Sequence, residues 1–466
     1  MSVAARRAWL PLVALVLGVF GDQMLAVPFG LGTALGTVAW VGAFVATHRE
    51  TLGRSRLAAA AAALTAAVGL AWRDSPTLHA LDILLLLASC GFLATGTAQA
   101  ASLLDLAHRV GRSAVLTTFG GCALLGRIPW GGVRNGRSWR LALSAAGGLL
   151  VAFPIVLIFT ILLANADPIF GQRLEQLFSF EISDLVRHVI LAAALSWFAA
   201  GFLYAGESTA AARPARPSWL ATGAVEAAIV LALVDLLFGG FVWVQIRYLF
   251  GSREWVDTIA GLTYSQYARR GFFELVTVTA LALPLLLAAH WVVRPDARGR
   301  RVVLGLAGVQ VALVLVMLVS AMERMRLYQA EYGQTELRFY TTAFMLWLAV
   351  LLGSFLLTVL PGRRDLFAHA AVLTAWVAVA VLHAVNPDER IVLANRTAPN
   401  GFDVAYGLSL SADAVPALLA TSYQLDPSAR ATIEQSLRPR AERALADWRT
   451  WNLSRLRAAR AVGAVP

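Results

Sequence analysis

Val302-Val-Leu-Gly-Leu-Ala-Gly-Val-Gln-Val-Ala-Leu-Val-Leu-Val-Met-Leu-Val-Ser320 carries no charged residue, with Arg300 and Arg301 before it and Glu323 after it. A run of this length and apolarity crosses the ~30 Å hydrocarbon core of a bilayer as one helix. Bases at one end and an acid at the other also give it a direction, because cytoplasmic loops collect arginine. Comparable runs fall near 8–27, 29–47, 57–72, 80–100, 141–164, 185–205, 220–245, 271–292, 339–360 and 367–385. The pattern predicts an all-α polytopic membrane protein with about eleven transmembrane helices. A small helical extramembrane domain follows at the C-terminus.

Composition agrees. The 466 residues are 58% hydrophobic and only 14% charged, against roughly 25% charged in soluble chains. The net charge of +11 would suggest nucleic acid in a soluble protein. Here the bases are all arginine and sit in short loops, so no nucleic-acid partner is expected and the lipid bilayer is the partner. The arginine, alanine and glycine richness fits a GC-rich bacterial coding bias. Cys90 and Cys122 cannot build a disulfide framework or a thiolate metal site. The seven histidines are scattered without HExxH spacing, and no phosphate-binding loop or nucleophile elbow stands in a credible setting. Neither a metal, a cofactor nor a catalytic residue is expected.

Arg6 and Arg7 place the N-terminus in the cytoplasm of a bacterial inner membrane. The arginines of alternate loops then fall inside, among them Arg49, Arg54, Arg56, Arg294, Arg298 and Arg363. The opposite loops hold most loop acids. Segment 110–132 is interrupted by Arg112, Arg127 and glycines, and reads as an interfacial or re-entrant piece. An odd span count puts the C-terminus outside. Three regions result: 1–140 with four spans and the interfacial segment, 141–385 with seven spans, and a tail from 386 to 466. In the tail, Ser411 is an N-cap for a helix over 412–422, and Asp426-Pro427 opens another. From Arg440, the stripe Ala441, Ala444, Leu445, Trp448, Trp451 and Leu456 predicts one amphipathic helix.

Polar motifs cluster on the face assigned to the outside. They are Asn165-Ala-Asp167-Pro168-Ile-Phe170, Tyr264-Ser-Gln-Tyr267-Ala-Arg269-Arg-Gly271-Phe272-Phe-Glu274, and Tyr332-Gly333-Gln334-Thr335-Glu336-Leu-Arg338. The last is Asn386-Pro-Asp388 with Asn395 and Ser411-Ala-Asp413-Ala-Val-Pro416-Ala-Leu. Over residues 145 to 455 these motifs resemble a bacterial family of multi-pass membrane proteins known as domain of unknown function 4173, except that leucine is expected where Gln334 stands. The resemblance implies the architecture and no established activity.

Aromatics and arginine–carboxylate pairs at span ends are ordinarily interfacial anchors and loop ties. Four such clusters on one face also suggest a ligand-binding cleft of Asp167, Arg269, Glu274, Glu336, Arg338 and Asp388, suited to a polar or zwitterionic solute. Asp235 lies near mid-bilayer, where an acid costs about 2.5–3.5 kcal/mol, and is a candidate for intramembrane coupling with Glu226. The two acids are nine residues apart, which at ~100° per residue puts them on opposite helix faces. A transporter or permease with an outer polar cleft is the leading functional reading. A regulator or scaffold engaging an envelope protein is the alternative, and an enzyme on a lipid-linked substrate is the least favoured.

Overall fold

The computed structural model describes residues 3–96, 102–126, 183–207, 224–249, 272–292, 299–397, 401–444 and 446–464, with scattered positions between 152 and 172. Those residues form helices and no strand. In chain order the bundle helices are α1 (Val3–Met24), α2 (Leu31–Thr47), α3 (Arg54–Trp72), α4 (Pro76–Thr95), α5 (Leu103–Leu125), α6 (Ser183–Glu207), α7 (Ala224–Leu249), α8 (Phe272–Val292), α9 (Arg300–Tyr332), α10 (Glu336–Thr358) and α11 (Arg364–Val385). The tail holds α12 (Pro387–Asn395), α13 (Val404–Ser409), α14 (Val415–Ser422), α15 (Pro427–Ala444) and α16 (Leu453–Ala461). Eight of the described helices are long and apolar enough to cross a membrane, and Trp9–Met24 and Leu31–Thr47 are shorter apolar helices. Large side chains such as Leu236 (74% exposed) and Leu357 (78%) point outward. In a soluble protein such apolar exposure is a liability; in lipid it is the expected surface. The protein is an all-α polytopic membrane protein.

Local sequence sets the boundaries. α3 is alanine-rich and therefore a strong helix former. Pro76 occupies the first turn of α4, where its missing N–H costs nothing. α9 stops at Gly333, whose φ of 73° lies in the left-handed region. Asn386 ends α11 with φ 56°, a conformation that asparagine tolerates, and Pro387 starts α12 at once. The tail is thus joined to the last span by a single turning residue.

Two apolar clusters fill the bundle. One joins α1 to α6 through residues such as Phe44, Ala63, Leu93, Leu124 and Leu203. The other joins α7 to α11 through Leu231, Leu286, Val314, Leu352 and Phe355. α11 belongs to both, since Ala368 packs in the first and Phe367 in the second. A third cluster, around Ile391, Val415, Leu418, Ile433 and Leu437, is the tail's own core, with Phe339 of α10 packed against it.

Contacts at the helix ends separate two faces. Arg56 donates to the Ala94 carbonyl, Gly206 lies against His48, Gly299 against Ala224, and Gly362 near Arg300. These contacts gather the arginine-bearing turns at one end of the bundle. At the other end Asp22 accepts from His188 at 2.9 Å, and Arg449 donates to the Gln23 carbonyl at 3.3 Å. The start of α1 and the tail therefore lie at opposite ends of the bundle. α4 ends on the arginine-rich face and α6 begins on the tail face. The span expected at 141–164 falls almost wholly outside the described residues. Within 110–132, the residues up to Leu125 belong to α5, which packs along α6 inside the bundle. Gly201 permits this approach: a Cβ there would lie 1.9 Å from the Thr117 carbonyl oxygen. Small residues let membrane helices pack this closely.

The tail departs from expectation in one place. Ser411 caps the turn Ala412–Ala414 that leads into α14, and Asp426 caps the start of α15. The single amphipathic helix expected from Arg440 onward is instead broken in two. Asp447 accepts from the Arg449 N–H, and Asn452 from the Arg455 N–H at 2.8 Å. Each side chain gives the backbone a local partner and so starts a new element.

Candidate functional site

The tail is held on the bundle by buried charges. Arg73, at the end of α3, is 5% exposed. Its Nε and Nη2 donate to the His383 carbonyl at 2.8 and 2.6 Å, and its Nη1 to Asp413 Oδ1 at 3.3 Å. The other Asp413 oxygen accepts from the Asp74 and Ser75 N–H groups at 2.7 and 3.0 Å. Those amides open α4, where a carboxylate is favoured by the orphan donors and the helix dipole. Asp74 in turn accepts from Arg455 Nε at 2.7 Å and from the Ala412 N–H at 3.1 Å. Arg455 also donates to the Thr450 carbonyl, and Ser454 Oγ to Asp413. The α3–α4 turn and the tail thus exchange charges reciprocally, each arginine facing an acid from the other.

Below this layer, His383 Nε2 and Asp82 Oδ1 are 3.0 Å apart and buried, with Trp72 stacked on the imidazole. Asp82 fits because residue 69 is glycine: a Cβ there would come within 2.6 Å of its carboxylate. Beside it, α9, α10 and the tail are tied by backbone. The Asn395 amide spans Gln334, accepting from its N–H at 2.6 Å and donating to its carbonyl at 2.8 Å. The contact uses only the backbone of residue 334. The Glu336 N–H donates to Tyr406 Oη at 2.8 Å.

A cavity of about 810 Å³ opens between the tail and the bundle. The α1–α2 link contributes Val27, Pro28 and Phe29; the start of α4 contributes Pro76, His79, Ala80 and Ile83; Glu336, Ser409, Ser411, Arg440, Asp74 and Arg455 complete it. Asp74 and Arg455 neutralise each other. Arg440 donates to the Leu408 and Leu410 carbonyls at 3.0 and 2.9 Å and faces no carboxylate among its described contacts. Glu336 is half-buried at the first turn of α10. One acid and one base are therefore left to meet a ligand.

Of the expected cleft residues, the structure brings two together. Glu336 lines the cavity. Asp388 lies just behind it, 0% exposed, accepting from the Ser411 N–H at 3.1 Å and from Ser411 Oγ. Arg338 turns away and secures the end of α9, donating to the Tyr332 and Gly333 carbonyls at 3.0 and 2.6 Å and covering the Tyr328 ring. Asp167 is exposed and caps its own turn, accepting from the Ile169 and Phe170 N–H groups. Glu274 is exposed at the first turn of α8, and Arg269 lies outside the described residues. Asp235 is buried on α7 while Glu226 is exposed on the same helix, so the two acids do not share a site. No cluster of potential metal ligands occurs among the described residues.

Arg73, Asp74, His79, Asp82, His383, Arg440 and Arg455 had no sequence signal strong enough to select them. The nearest was Arg73-Asp74-Ser75-Pro76, a charged pair followed by a helix start between two spans.

Burial pushes the Asp388 carboxyl up to about 6, with Ser411 opposing and Glu336 and Asp413 adding to the rise. A folded-state value above the ordinary 3.8 means that the proton favours the docked tail. The contribution is whole below about pH 4 and is lost as pH rises through 6. At about 1.4 kcal/mol per unit, docking should weaken by about 3 kcal/mol between pH 4 and pH 7. Amide hydrogen exchange in α12 and α14 measures this, and Asp388→Asn should flatten the profile. An unchanged slope in the variant would assign the dependence to another group.

No curated protein and no solved structure matches the chain. The family model that matches is described as "Domain of unknown function (DUF4153)", over residues 59–421. This corrects the resemblance to domain of unknown function 4173 in its number and its extent. The match starts inside α3 rather than at residue 145, and so includes the Arg73–Ser75 turn that anchors the tail. With the first part of its tail, its anchoring turn and most of its bundle inside that match, the chain belongs to the DUF4153 family.

Proposed function

We propose that this protein is a membrane-embedded receptor that binds a zwitterionic small molecule in the cavity between its tail and bundle, on the outer side of the membrane. The observation that carries this reading is the lining of the cavity. Glu336 suits an ammonium group, and Arg440 suits a phosphate or carboxylate that its guanidinium can hold through paired hydrogen bonds. The outer placement rests on the arginines at the opposite end of the bundle, which the positive-inside rule assigns to the cytoplasm of a bacterial inner membrane. A ligand there would touch α4, α10 and the tail at once, so occupancy would brace the tail against the bundle.

A regulator is favoured over a permease because the intramembrane acid Asp235 stands in the cluster of α7 to α11, away from the cavity. An enzyme is disfavoured because both Asp74 oxygens are engaged, by Arg455 and Ala412, leaving no free carboxylate pair.

The test uses phosphoethanolamine with the full chain in sealed right-side-out vesicles. Saturable binding is expected without opening the vesicles. Charge-assisted hydrogen bonds contribute about 1.5–3 kcal/mol, so Glu336→Gln and Arg440→Met should each weaken binding roughly 10- to 100-fold. Affinity unchanged in both variants would overturn the reading. Binding that appears only after detergent opening would place the tail inside.

A further inference from the structure

We infer that the ligand of this cavity is a membrane phospholipid, whose headgroup sits under the tail and whose acyl chain descends a second cleft inside the bundle. The inference rests on the outer-cavity reading and extends it to the ligand's other half. The second cleft, of about 170 Å³, lies between α1, α2, α4 and α6. Its lining is apolar apart from two threonines, and Thr37 Oγ1 is satisfied locally by the Thr33 carbonyl at 2.9 Å.

The two spaces follow one another along the same helix faces. On α4, His79 and Ile83 line the charged cavity, while Leu86 and Cys90 line the cleft. The four positions are spaced i, i+4, i+7 and i+11, which is a single stripe of an α-helix. On the other wall, Phe29 belongs to the cavity, and Thr33, Gly36 and Trp40 continue downward from it in the cleft. The link between them is covalent as well: Met24 and Leu25 line the cleft and Val27 the cavity.

Depth identifies the occupant. His79 to Cys90 spans about 16 Å at ~1.5 Å per residue. That is close to half of the ~30 Å hydrocarbon core, the thickness of one leaflet. A zwitterionic solute would need only the upper space. A charged upper cavity above an apolar slot, the two together about one leaflet deep along α4, has the polarity profile of a phospholipid. Gly36 keeps the slot open: a Cβ there would rest 3.6 Å from Met24 Cβ, an ordinary contact, so the backbone accepts a larger side chain that would project into the slot.

The experiment places the full chain in nanodiscs containing phosphatidylethanolamine brominated on its acyl chains. Bromine quenches nearby tryptophan, and the Trp40→Phe difference isolates the fluorescence of the residue in the cleft. Quenching of Trp40 is expected to saturate at a small mole fraction of the brominated lipid. It should fall at least fivefold in Gly36→Leu and in Leu86→Phe, either of which fills the slot. Binding of soluble phosphoethanolamine should be unchanged in both. Trp40 quenching that rises only in proportion to bulk lipid, or persists in both variants, would overturn the inference. If phosphoethanolamine still binds in that case, the outer-cavity reading stands and its ligand is a soluble solute. If phosphoethanolamine fails to bind while quenching is specific, the slot holds a chain and the headgroup assignment fails instead.

Discussion

Asp413→Asn should weaken docking of the tail by about 3–5 kcal/mol, the usual result of removing one partner from a buried ion pair. Asp413 is 4% exposed, and the charge it faces, on Arg73, is 5% exposed, so water cannot replace what is lost. The substitution also takes a formal charge away from the amides of Asp74 and Ser75 and from Ser454 Oγ. Limited proteolysis within α15 and α16, followed with the thermal unfolding of the solubilised protein, reads the effect. Tail cleavage should accelerate by two orders of magnitude or more while the bundle stays folded. Asp426→Asn is the matched control, because Asp426 is an exposed helix cap and should cost about 1 kcal/mol or less. A loss under about 1 kcal/mol for Asp413→Asn would show that the His383 carbonyl alone suffices for Arg73.

Asp235→Leu should move stability the other way, by as much as about 3 kcal/mol, the cost of an acid at the centre of a transmembrane helix. α7 and α9 both begin on the arginine-rich face, with Ala224 against Gly299, and so run parallel. Eleven residues onward from that contact, counted as 224 to 235 and 299 to 310, Asp235 and Gln310 come level on the two helices. Asp235 shares its face of α7 with Leu231 and Val242, and Gln310 its face of α9 with Val303 and Ala307, all buried. Both Asp235 oxygens and both Gln310 amide atoms are buried without a hydrogen-bond partner among the described residues. Such groups are expensive to bury, and leucine at 235 removes the larger cost. Unfolding of the solubilised variant should therefore need a higher temperature than wild type. A decrease would mean that Asp235 binds Gln310 more tightly than this geometry implies, and that α7 is held to α9 through it.

The four polar motifs show how far sequence reasoning reached into the site. The third and fourth do meet, through Asn395 with Gln334. Two of the expected cleft residues make local contacts instead of lining the cavity. Arg338 looks like a ligand-binding base, but it closes α9 because the adjacent helix end offers free carbonyls within its reach. Asp167 looks like a cleft acid, and in the structure it accepts from two backbone amides of its own turn. Arg73 and Asp74 looked like an ordinary loop between spans, and Arg455 like the polar edge of an amphipathic helix. Their partners lie more than 300 residues away in the chain.

Sequence by itself determined the membrane class, the helical spans that fall among the described residues and the loop-by-loop alternation of charge. Each depends on short-range properties: apolar length against bilayer thickness, and arginine content loop by loop. It also placed the caps at Ser411 and Asp426, because a cap is a contact between near neighbours. Tertiary structure alone decided which charges neutralise one another, which carboxyl and guanidinium remain to line the cavity, and that an apolar cleft lies along the same faces of α2 and α4. Those outcomes depend on which helix ends meet, and pairing between distant segments leaves no period or spacing in a single chain.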